Sequence, residues 1–111
     1  MPKQFTTSTE VQNINGTGSA KNPEYKIPRL KEKYVAMSGY TGDRCSAIDG
    51  AEECPGSYQA TAHVMINDGK KGGGGNTWWL VPTCAHHNLS VPFFEVGAST
   101  IFCSVEEIRD M

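Results

Sequence analysis

Hydrophobic and polar positions alternate most clearly in the second half of the chain. Ala60, Ala62, Val64 and Ile66 alternate with Thr61, His63 and Met65, which predicts a strand over Gln59–Asn67. A second strand is predicted over Thr77–Val81, where Trp78 and Trp79 must point to opposite faces. The glycine-rich run Asp68–Asn76 would join the two as a hairpin. Residues 84–91 have room for a turn or two of helix before Pro92 ends it. Phe93–Val96 and Thr100–Ser104 read as a second hairpin around Gly97-Ala98-Ser99. Ser104-Val-Glu-Glu107 is a capping box that opens a short C-terminal helix.

The first half is less regular. Residues 1–23 are polar, with no sustained period, and read as a flexible arm. The alternative is a short strand near Glu10–Ile14 turned by Asn15-Gly16. Residues 24–111 then form one domain. In Tyr25–Met37, the positions of Leu30, Tyr34 and Val35 suit either a short helix or a strand ending at Ser38-Gly39. Gly39–Gly56 reads as a loop carrying two cysteines.

Composition narrows the function classes. The 111 residues are only 38% hydrophobic and include 12 glycines, so a metal or a disulfide would noticeably help so small a core. No apolar run is long enough to cross a bilayer, and the N-terminus lacks the apolar stretch of a secretory signal. A cytoplasmic location and no membrane partner are therefore expected. Residues 1–44 carry seven Lys/Arg against four acids, net +3, whereas residues 45–111 carry three against eight, net −5. A nucleic-acid binder of ordinary type shows a basic stripe, and here only the N-terminal part is basic.

The chemistry concentrates in the four cysteines and three histidines. In a reducing compartment, cysteines serve as metal ligands or inert thiols more often than as disulfides. Cys84-Ala-His-His87 is a C-x-x-H pair whose single turn can aim two donors at one ion. Cys45 and Cys54 supply a second pair across a wider insert, Ser46–Glu53, expected to bulge outward. The expected metal ligands are Cys45, Cys54, Cys84 and His87, holding a structural zinc ion. Disulfides Cys45–Cys54 and Cys84–Cys103 are the alternative for an exported chain. Cys103 lies in an apolar strand and reads as a small buried hydrophobe; His86 reads as exposed. His63 is open between a base, a zinc ligand and a hydrogen-bonded hairpin residue. The run GKKGGGG, Gly69–Gly75, lacks the ending of a phosphate loop and reads as a hairpin loop.

The segments RCSAIDGAEEC, TAHVMINDG and NTWWLVPTCAHHN, in that order, resemble the HNH-endonuclease-like zinc domains of the treble-clef class, over residues 44–104. The resemblance implies a small α+β fold, a zinc-stabilised treble-clef core with an HNH-like ββα unit, β-hairpins and short helices. It implies His63 as general base, Asn76 as its support, Asn88 as the closing residue near a catalytic Mg²⁺ or Mn²⁺, and a separate structural Zn²⁺. The chain departs from the nuclease pattern where Ala62 stands in place of an acidic or histidine metal ligand, where Pro92 shortens the helix, and in its net negative charge. The leading expectation is thus a zinc-stabilised binding module for nucleic acid or protein with little catalysis. The other expectations are a metal-dependent HNH-type endonuclease and an assembly protein of phage or mobile-element origin.

Overall fold

The computed structural model describes residues 2–13, 29–49, 52–66, 78–89 and 93–109. The Asn15-Gly16 turn, the Gly69–Gly75 loop, Asn76 and Pro92 lie outside the described residues. The described residues form eight strands: β1 (Lys3–Gln4), β2 (Thr9–Asn13), β3 (Ala47–Asp49), β4 (Glu52–Glu53), β5 (Ala60–Ile66), β6 (Trp79–Thr83), β7 (Phe93–Val96) and β8 (Ile101–Ser104). Three short helices accompany them: α1 (Leu30–Ser38), α2 (Ala85–Leu89) and α3 (Val105–Arg109). The result is a mixed fold that is mostly sheet.

The strands pair antiparallel in the order β1-β8-β6-β5-β2-β7-β3-β4. The sheet also curls. The Ser46 N–H and hydroxyl both donate to the Pro82 carbonyl, at 2.8 and 2.6 Å, which brings the start of β3 against β6. Pairing in β5 and β6 sets His63 opposite Leu80 and Val64 opposite Trp79. The period-2 pattern then divides the two strands between two cores. Val11, Ala62, Val64, Trp79, Val81, Phe94, Val96 and Phe102 pack on the inside of the curl. Tyr34, Tyr58, Leu80, Cys103, Val105 and Ile108 pack on the other face, beneath α1 and α3. The two tryptophans divide as alternation requires: Trp79 belongs to the first cluster and the half-buried Trp78 packs against the second.

Three expectations are corrected. Residues 2–13 are not a flexible arm. β2 lies between β5 and β7 and is hydrogen-bonded to both, and it overlaps the alternative short strand expected near Glu10–Ile14. Thr9, Val11 and Asn13 face inward and Glu10 and Gln12 outward, so the inward side carries two polar residues and hides its period. β7 and β8 form as strands but not as a hairpin: β7 pairs with β2 and β3, and β8 with β1 and β6. Ser99, at φ 70°, turns the chain between them, and its N–H donates to Phe5 O. The loop between Cys45 and Cys54 holds the short β3–β4 pair rather than an irregular bulge.

The ambiguous segment before Gly39 is a helix. Gly39 ends it at φ 73°, and its N–H donates to Val35 O, a left-handed cap that glycine adopts without steric cost. Tyr34 is fully buried and its hydroxyl donates to Ile101 O at 2.6 Å, pinning α1 to β8. Among the described residues, no helix is long and apolar enough to cross a membrane.

Candidate metal centre

Cys84 follows β6 directly, and α2 starts one residue later. One turn of helix therefore carries His87 back beside the thiol, with Cys84 Sγ 3.2 Å from His87 Nδ1. Cys45 and Cys54 flank the β3–β4 pair, which folds back and closes what looks in sequence like a wide gap. Their sulfurs each lie 3.7 Å from the same Nδ1, and Cys54 Sγ lies 4.0 Å from Cys84 Sγ. All four donor atoms fall within 4.8 Å of one another. Cys45, Cys54, Cys84 and His87 are thus brought together as a Cys3His group that could hold a metal ion.

Backbone contacts fix the group in place. Cys45 N donates to Gly56 O at 3.0 Å and Gly56 N donates to Cys54 Sγ at 3.4 Å. Asn13 Nδ2 donates to His87 O at 2.8 Å, so β2 supports α2 from below. The His87 ring also lies against Phe94, with centroids 5.4 Å apart. Cys45 and Cys84 are buried, whereas Cys54 is half-buried between the exposed Glu53 and Pro55.

Burial pushes the Cys45 thiol up to about 12. Burial pushes Cys84 up as well. Hydrogen bonds from the His87 backbone, from Cys45 and Cys54, and from the His86 backbone outweigh it, and the net effect is a lowered value. Burial, with His86 adding to it, lowers His87 and favours the neutral imidazole that metal ligation requires.

The remaining candidates separate from this group. His63 is only 4% exposed. It alternates with Ala62 and Val64 of the inner core and faces the second cluster, on the side of the sheet away from the Cys3His group. Its Nε2 is buried without a hydrogen-bond partner among the described residues, and burial lowers its pKa. Asn88 lies in α2, but its side chain is outside the described set, as is the whole of Asn76. His86 is exposed, and Cys103 is fully buried in the second cluster with its thiol pushed up to about 11 by burial. All four cysteines are free thiols. Gly56 and Asn13 are contributors that spacing rules did not single out. The Cys54-Pro55-Gly56 turn was the only available signal for the first.

Comparisons with protein families, with curated proteins and with solved structures find no match to this chain.

Proposed function

We propose that the Cys3His group holds one structural zinc ion and that the chain is a zinc-stabilised binding module. The observation that carries this reading is the spacing of the donors. Tetrahedral zinc with bonds of about 2.3 Å to sulfur and about 2.0 Å to nitrogen needs edges of about 3.8 Å between sulfurs and about 3.5 Å from sulfur to nitrogen. The sulfur–nitrogen distances of 3.7, 3.7 and 3.2 Å fall on either side of that length, and the Cys54–Cys84 sulfur distance of 4.0 Å is slightly longer than its own. Three soft thiolates and an imidazole suit zinc better than magnesium or calcium, which take oxygen. With four protein donors, no position is left for water or substrate, and such a site serves folding rather than chemistry.

The strand–strand–helix order of β5, β6 and α2, with Cys84 at the helix entrance, favours a likeness to the HNH-type ββα unit. The wider antiparallel sheet and the inward β2 are additions to that unit. The nuclease reading is less favoured. A general base must reach a water molecule, and His63 is buried on the far face from the metal centre.

A cleft of about 240 Å³ lies between the Tyr40–Ile48 segment and the Gly97–Ile101 turn. Tyr34, Tyr40 and Ile48 line it, and Arg44 and Glu53 stand 3.9 Å apart at its edge. A mixed-charge rim around tyrosines suits a protein side chain better than a phosphate backbone. The ligand-bearing segment forms one wall, so zinc would also hold the recognition surface.

Native mass spectrometry on the full chain, purified without added metal or chelator, tests the reading. One zinc per chain is expected, with four free thiols after denaturation. A chain without metal that carries disulfides overturns it. Steep salt-dependent binding to DNA or RNA, with magnesium-dependent cleavage lost in His63→Ala, would move the assignment to a nuclease.

A further inference from the structure

The three thiols of the metal centre are not equivalent. Cys45 and Cys84 are 5% and 7% exposed, whereas Cys54 is half-buried and flanked by exposed residues on both sides. Among the three thiols, solvent therefore reaches Cys54 most readily. Its sulfur lies 4.0 Å from that of Cys84. Gly56 lies between the two thiols with no side chain, since a Cβ there would be 3.2 Å from Cys84 Sγ and 3.4 Å from Cys54 Sγ. The sulfurs are thus free to move together. Glu52 and Glu53 are exposed beside Cys54 and Arg44 stands 3.9 Å from Glu53, a mixed-charge surrounding that a small neutral oxidant crosses without an electrostatic penalty.

We propose that Cys54 is an oxidation site for hydrogen peroxide or a small neutral hydroperoxide, and that Cys84 resolves it to a disulfide with release of the metal. The inference rests on the zinc reading above. Cys54 sulfur attacks a peroxide oxygen. The O–O bond breaks, an S–O bond forms, and the leaving hydroxide takes a proton to become water. Cys84 thiolate then attacks the Cys54 sulfur. An S–S bond forms, the S–O bond breaks, and a second hydroxide leaves as water after protonation. The two sulfurs together lose two electrons to the peroxide. Cys45 and His87 alone remain as donors, too few to retain zinc, and the β3–β4 pair is released from the ion.

The experiment treats the zinc-loaded full chain with hydrogen peroxide in the presence of a zinc-binding dye, followed by intact-mass and peptide mapping under denaturing conditions. Expected are one equivalent of zinc released, a mass loss of about 2 Da for the two hydrogens given up in forming a disulfide, and a Cys54–Cys84 linkage. Trapping at early times with a sulfenic-acid-specific probe should label Cys54 before Cys45 or Cys84. Zinc retained under peroxide, a linkage involving Cys45, or first labelling at Cys45 or Cys84 each overturn the proposal. A protein that never binds zinc fails the earlier reading instead, and shows it before peroxide is added.

Discussion

Gly56 and Cys84 are packed so closely that a Cβ on residue 56 would lie 2.8 Å from Cys84 Cβ. That atom is fixed to the backbone at the end of β6 and cannot swing aside as a long side chain would. Gly56→Ala should therefore push the Cys54–Gly56 turn off the metal centre. Overpacking of this kind costs about 1–3 kcal/mol, and loss of a supporting contact weakens metal affinity about tenfold or more. A thermal melt and a chelator competition against the parent measure the two effects. Equal affinity in both proteins would show that the turn does not set the ligand geometry.

Asn13 ties the N-terminal strand to the same centre through its bond to His87 O. Asn13→Ala should cost about 1 kcal/mol or somewhat more, because it leaves a part-buried carbonyl without this donor. It should also speed zinc transfer to a chelator while leaving the zinc stoichiometry at one. Unchanged transfer kinetics would confine Asn13 to ordinary sheet packing.

Metal binding has a proton signature. Burial holds Cys45 up to about 12, so its thiol is protonated at neutral pH and must give up that proton to ligate. Zinc binding should accordingly release protons, the Cys45 proton among them, with affinity rising as pH rises. Titration of the apo chain in weak buffer with a pH indicator counts them. Release of none would be incompatible with thiolate ligation.

His63 gives the opposite face of the sheet a pH dependence of its own. Its folded pKa lies below the ordinary value of about 6.5. The unfolded chain then binds the proton more readily than the folded one. The His63 contribution is fully present above about 6.5 and is lost as pH falls from there toward the lower folded value. His63→Leu removes both this titration and a buried Nε2 without a described partner. It should be neutral or stabilising by up to about 1–3 kcal/mol near neutral pH. The gap between variant and parent should widen on acidification. Metal loss in acid is common to both proteins, so the difference in urea midpoints isolates the histidine. A gap that narrows in acid would contradict the assignment.

Much of this arrangement was legible because it is local. β5 has a period of two, and the α3 cap is written in four residues: Glu107 N donates to Ser104 Oγ at 3.1 Å, and Ser104 Oγ donates to the Glu107 carboxylate at 2.9 Å. Cys84 and His87 are one helical turn apart, so their convergence follows from spacing alone. The Cys45–Cys54 gap was harder, since two-residue strands such as β4 carry almost no periodic signal. The partners of β7 were not legible. They come from β2 and β3, far away in sequence, whereas local spacing favours a turn back onto β8. β2 itself was obscured because Thr9 and Asn13 occupy inward positions usually filled by apolar residues.

The place of β2 also bears on how the chain reaches this arrangement. It is made before the strands on either side of it, β5 and β7, which begin at residues 60 and 93. Until β5 has emerged, Glu10 to Gln12 have no strand to join, and the β2 edge that β7 will take stays open until residue 93 and beyond are made. Such long-range closure slows folding and leaves strand edges available to other chains. A fragment starting after residue 23 would keep the β2-facing edges of β5 and β7 open permanently. It would retain every metal ligand and still be prone to aggregate.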